Sequence, residues 1–233
     1  MKSKILIVCI CVLIVVISLF IHNYFYVNKL LENINLTKAK KLMIVTHPDD
    51  ETIWGGAHLL DGNYLVICIT CGTNVTRSNE FKKVMKYTKN QYIMLGYPDK
   101  VNGNRSDWSE SENDIYKDIK NIIKAKKWDL IVTHNRKGEY GHIQHKKISE
   151  IVTNVYNELQ SEEDLYYFGN YYTKKQILKY EEYLTPLSEE KAQIKINKLI
   201  KIYTSQEFIK NTFNHMFPYE MWQKYENNLI AGE

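Results

Sequence analysis

Two short stretches concentrate the side chains that can hold a cation or move a proton. Residues 46 to 51, THPDDE, put one histidine and three consecutive carboxylates into a turn in which Pro48 fixes one backbone angle. Residues 133 to 145, THNRKGEYGHIQH, carry His142 and His145. Each stretch directly follows a short apolar run. Two histidines and a carboxylate converging from two loops make a common zinc set that leaves a fourth position for water. Taken singly, these residues have ordinary structural roles. A histidine after a strand sits at the surface, and Asp-Asp-Glu before a helix caps it and suits its dipole. Capping does not account for both clusters falling at strand ends, and a buried carboxylate is costly without a cation.

The elements that would bring the two stretches together follow from the apolar pattern. Strands are expected at Leu42–Thr46, Tyr64–Thr70, Tyr92–Leu95 and Leu130–Thr133. Helices are expected at Thr52–Leu60, Ser78–Lys89, Asp114–Lys126 and Gln144–Leu159, with a last one from a Ser188 cap to about Tyr203. Strands apolar on both faces, alternating with helices, imply an α/β fold: a Rossmann-like, mainly parallel sheet with helices on both faces. In such a sheet ligands bind beyond the carboxyl ends of the strands, where both motifs fall. Residues 97 to 111, YPDKVNGNRSDWSES, lack periodicity and are expected to be a loop with a functional role.

The 233 residues suffice for one such domain, expected over 41 to 233. Net charge is +4, from 31 basic and 27 acidic residues, and the lysines are scattered among acids. That argues against a nucleic-acid partner. Residues 5 to 20, ILIVCICVLIVVISLF, are apolar, and with the following residues to Val27 they are long enough to cross a bilayer. A transmembrane anchor over 1 to 27, and hence a single-pass membrane protein, is the reading adopted. The bulky His22-Asn-Tyr-Phe-Tyr disfavours the rival, a cleaved signal peptide. Residues 28 to 40 are expected to form a polar stalk, and lysines on both sides leave the orientation open. Cys68 and Cys71 are read as sheet residues, because no second pair completes a four-cysteine zinc site.

THPDDE (46 to 51), RSNE (77 to 80), LGYPD (95 to 99), THNRKGEYGHIQH (133 to 145) and YTSQ (203 to 206) resemble, in order and spacing, the LmbE-like or PIG-L zinc-dependent N-deacetylases. The resemblance covers about residues 40 to 210. It implies hydrolysis of the acetamide of an N-acetylglucosamine-type glycoconjugate, giving acetate and a free amine. By the family pattern His47, Asp50 and His145 would be the metal ligands, for Zn²⁺ or another divalent ion such as Fe²⁺. Asp49 would be the general base, and Arg77 and Asp99 would contact substrate. His142 and Tyr140 would donate to the oxygen of the tetrahedral intermediate, a role such chemistry requires. Two departures stand out. Gln144 replaces an aspartate that in many bacterial members orients the preceding histidine, and TCGTN (70 to 74) replaces the family's TxGE.

Two other functions fit the residues less well. Mg²⁺-dependent phosphoryl transfer could use Asp49, Asp50 and Glu51, but paired histidines favour zinc and no glycine-rich phosphate loop follows the first strand. A non-catalytic sugar-binding protein could keep the fold, yet it would have no need of Asp49.

Overall fold

The computed structural model of the chain describes residues 27 to 226. Six strands form the main sheet: β1 (Lys41–Val45), β2 (Tyr64–Thr70), β3 (Gln91–Tyr97), β6 (Leu130–Thr133), β7 (Asp164–Tyr167) and β8 (Gln223–Lys224). Their order is β3-β2-β1-β6-β7-β8, parallel throughout except for β8. After β1 the chain moves to one side, through β2 and β3. It then returns to pair β6 with β1 on the other. The switch point therefore lies between β1 and β6, where Lys41 to Ile44 pair with Leu130 to Thr133.

The period-two alternation along β1 divides the core. Leu42 and Ile44 face one layer, with Ile115, Ile119, Ile122 and Ile123 of α3 (Glu112–Lys124) and Ile148, Ile151, Val152 and Val155 of α5 (Ile143–Glu158), which the short α4 (Gly138–Gly141) precedes. Met43 and Val45 face the other, with Trp54 of α1 (Asp50–Leu59), Phe81 and Val84 of α2 (Val75–Thr88), and Leu199, Tyr203 and Phe213 further on. Helices thus cover both faces, as the apolar runs imply.

Several differences from the sequence reading have simple causes. The helix expected from Ser78 starts a turn earlier because the Asn74 side chain caps it, accepting from Arg77 N at 3.1 Å. The expected loop contains a hairpin, β4 (Lys100–Val101) and β5 (Asn104–Arg105), turned at Asn102 and Gly103, both with positive φ. Residues 28 to 40 are no free-standing stalk. Residues 27 to 32 are helical, Val27 and Leu31 are buried in the core, and Asn35 exchanges two hydrogen bonds with the Gln91 side chain. The expected membrane anchor falls almost wholly on residues 1 to 26, outside the described residues. Among the described residues no helix is long and apolar enough to cross a membrane.

The last long helix runs from the Ser188 cap through Glu189–Ile194 and Ile200–Ile202, with a π-helical stretch at Lys195–Leu199. Lys195 is fully buried and its ammonium pairs with Glu220 at 2.7 Å. Glu220 in turn accepts from Ala57 N and His58 N of α1. A buried pair of this kind holds α1, and the loop that enters it, in one position.

Candidate metal centre and active site

His47 and Asp50 leave the end of β1, while His145 lies in the first turn of α5, just beyond β6. Their donor atoms form a near-equilateral triangle. Asp50 Oδ2 lies 3.1 Å from His47 Nδ1 and 3.3 Å from His145 Nε2, and the two nitrogens are 3.3 Å apart. Tetrahedral zinc bonds of about 2.0–2.1 Å place donors about 3.3 Å from one another, so this donor set fits the ion. The three residues expected as ligands are therefore together in space.

Two residues that sequence reasoning missed support this triangle. His134 follows β6 as His47 follows β1, and it also lies near Asp50 and His145. Its Nε2, however, accepts the backbone N–H of Thr46 at 3.0 Å. Burial opposes a second proton on His134, while the charges of Glu139 and Asp50 attract one. That proton would have to sit on Nε2, where the Thr46 N–H already points, so the ring stays neutral and Nε2 is not free to bind metal. Glu139 is the other missed residue. Its carboxylate takes His145 Nδ1 at 2.5 Å, His134 Nδ1 at 3.2 Å and Asn135 N at 2.7 Å. Burial raises its pKa, but the two histidines outweigh this and hold it at about 2. With the His145 proton fixed on Nδ1, the Nε2 lone pair faces the triangle. Glu139 itself holds φ 51, ψ −66, a strained conformation of the kind that clusters at working sites.

Asp49 stands next to a ligand in sequence and turns elsewhere. Its backbone has φ 116 and ψ −32, and its carboxylate Oδ2 lies 3.2 Å from the Arg77 guanidinium, which also donates to Pro48 O. Glu51 helps keep this turn. Expected only to start the helix, Glu51 is fully buried, and its Oε2 accepts Asp49 N at 3.0 Å. Its Oε1 accepts the hydroxyls of Thr52 and Tyr203. Burial raises Asp49's pKa, as does the charge of Asp50, and Arg77 works against both.

A cavity of about 250 Å³ opens over these groups, lined by His47, Asp49, Asp50, Arg77, Tyr140 and His142 among others. His142 lies against His145 with ring centroids 4.2 Å apart and the planes tilted by 32°, and its Nδ1 is buried without a partner. Burial, with repulsion from His145 and His47, lowers its pKa to about 3, so the ring is neutral. Burial raises the Tyr140 phenol, which stays a donor. Asp99, expected to contact substrate, lines the cavity, pairs with Arg105, and has its Oδ1 3.3 Å from His47 Nε2. The role expected for the residue at 144 also shifts. Gln144 bonds His47, not His142, with Oε1 2.8 Å from Nε2.

Three donors that could hold a metal, with a further carboxylate beside them at the switch point of a parallel sheet, make the layout of an α/β metal-dependent hydrolase. The family model described as PIG-L, GlcNAc-PI de-N-acetylase, matches residues 42 to 156. A relative from Acanthamoeba polyphaga mimivirus, described as uncharacterized protein L374, is 31% identical over 197 residues, covering 77% of each chain. Two solved structures share the fold. The A40926 pseudoaglycone deacetylase Dbv21 aligns with TM-score 0.56 at 17% identity, over 76% of this chain and 88% of that one. N,N'-diacetylchitobiose deacetylase from Pyrococcus horikoshii aligns with TM-score 0.57 at 15% identity, over 82% and 85%. The chain belongs to the PIG-L (LmbE-like) family of N-deacetylases.

Proposed function

We propose that this protein hydrolyses the acetamide of an N-acetylglucosamine-type glycoconjugate, using Zn²⁺ held by His47, Asp50 and His145. The observation that carries the reading is the donor triangle with edges of 3.1, 3.3 and 3.3 Å. Bound there, zinc would supply a water whose pKa falls from 15.7 to about 7 and a Lewis acid for the amide carbonyl.

The side chains account for the rest. An amide needs a proton taken from the attacking water and one delivered to the leaving nitrogen, which departs as the amine. Asp49 serves both steps: its raised pKa favours accepting the first proton, and Arg77 keeps the carboxylate aimed into the cavity. Tyr140 is a phenol donor at the cavity wall. His142, neutral, can offer one N–H where the carbonyl oxygen gathers charge, with no carboxylate to make it an imidazolium. Two imidazole donors also suit zinc better than Mg²⁺, which prefers oxygen ligands.

The apolar run at 5 to 20, with the residues that follow it, supports an enzyme anchored at a membrane, with its glycoconjugate at the same surface. Release of free amine from N-acetylglucosamine conjugates, abolished by a chelator and restored by Zn²⁺, tests the reaction. Turnover that survives chelation would end the reading. Recovery of the chain in the soluble fraction after alkaline extraction would end the membrane part of it.

A further inference from the structure

Gln144 connects the metal triangle to the hairpin at 98 to 106, whose Asp99 Oδ1 also lies 3.3 Å from His47 Nε2. It is fully buried in the first turn of α5. Its side-chain nitrogen donates to Pro98 O at 3.3 Å and Asp99 O at 3.1 Å. Carbonyl oxygens only accept, so the NH₂ end of the amide must face them. The oxygen end is thereby committed to His47, and His47 Nε2 must carry a proton to meet it at 2.8 Å. Once Nε2 holds the proton, the lone pair of a neutral His47 lies on Nδ1, the atom facing Asp50 and His145.

The backbone that Gln144 grips carries one wall of the cavity. Pro98 O also accepts the Trp108 indole N–H at 2.7 Å, and Asp99 O accepts Ser106 N at 3.0 Å, which closes the base of the hairpin. Asp99, Lys100 and Arg105 line the cavity from that hairpin. We propose that Gln144 is a positioning residue: one end fixes the tautomer of His47, and the other fastens the hairpin at 98 to 106 to the same ligand. The metal site and the hairpin wall are thus coupled through this amide, beside the contact of Asp99 with the same His47 nitrogen. This rests on His47 being a ligand.

The two ends of the amide can be tested separately in the full chain. Gln144→Leu removes both. It is expected to weaken Zn²⁺, measured by competition with a chelating dye, by about 10-fold or more. It is also expected to speed amide hydrogen exchange at 98 to 106. Gln144→Glu keeps an acceptor for His47 but turns an oxygen toward Pro98 O and Asp99 O. Its Zn²⁺ affinity is expected to stay within about threefold of wild type, against the about 10-fold loss above. Its exchange at 98 to 106 should still accelerate. Wild-type affinity in Gln144→Leu, or unchanged exchange in either variant, would overturn the proposal. Neither readout depends on turnover: the expected pattern in a chain that releases no acetate supports the coupling and refutes the deacetylase reading. Deacetylation with unaltered Zn²⁺ affinity in Gln144→Leu does the reverse.

Discussion

Asp49 and Asp50 are adjacent in the chain and serve different partners: Asp49 Oδ2 lies 3.2 Å from Arg77, and Asp50 Oδ2 lies 3.1 Å from His47 Nδ1. Asp49→Asn keeps the shape and removes the proposed base. It is expected to lower kcat by about 10²- to 10⁴-fold, a common range for losing a general base. Zn²⁺ affinity should stay at the wild-type level, and a lost metal in this variant would place Asp49 among the ligands.

Glu139 is expected to matter for metal more than for the reacting atoms. Glu139→Gln leaves His145 without its charged partner, and removal of such outer groups weakens metal binding by about 10- to 100-fold. Dye competition reads the effect directly. Equal affinities would show that the 2.5 Å contact with His145 is only structural.

Stability of the metal-free protein should fall as pH rises through neutrality. Burial lowers the pKa of His47, but hydrogen bonds and charge from Asp50 and Asp99 outweigh it, raising the value from 6.5 to about 9. A raised folded-state pKa means that the folded chain binds the extra proton, so the stabilisation is full below 6.5 and gone above about 9. Glu51 adds to the same slope lower down: burial raises it from 4.5 to about 7, so ionisation costs the folded state more than the unfolded one. Zn²⁺ at the proposed site would compete with that proton for His47 Nδ1, so its affinity should climb across the window in which the metal-free protein weakens. Urea midpoints at several pH values, with and without metal, check both directions. A flat metal-free profile would show that His47 gains no proton on folding.

Tyr203→Phe removes the hydroxyl that reaches Glu51 at 2.5 Å, from well outside the residues matching the family model. A hydrogen bond to a charged or partly charged group contributes about 1.5–3 kcal/mol, and a loss of that order is expected from denaturant unfolding. Activity should fall too, because Glu51 also holds the backbone of Asp49.

How far the sequence reveals the site depends on which side chains speak through pattern. His47, Asp50 and His145 are legible because histidines and carboxylates fall just past strands apolar on both faces, and a parallel sheet brings such ends together. His134 offers the same signal, and only the Thr46 N–H on its Nε2 separates it from a ligand. Glu139, Glu51 and Gln144 are different. Each acts through another residue, at positions where a surface carboxylate or amide would look the same in one dimension. Asn102-Gly103 could have announced the hairpin, since that pair favours a two-residue turn. The strands at Asp164–Tyr167 and Gln223–Lys224 are too short to stand out from a tyrosine-rich background. The division of roles within THPDDE rests on one backbone angle, which composition does not encode.

That angle has an evolutionary side. At φ 116 the easiest residue for position 49 is glycine, which would relax the turn and also remove a buried carboxylate. A population of variants screened for heat resistance alone would drift toward glycine there and fall silent as catalysts. Only selection for turnover would keep an aspartate in so uncomfortable a place.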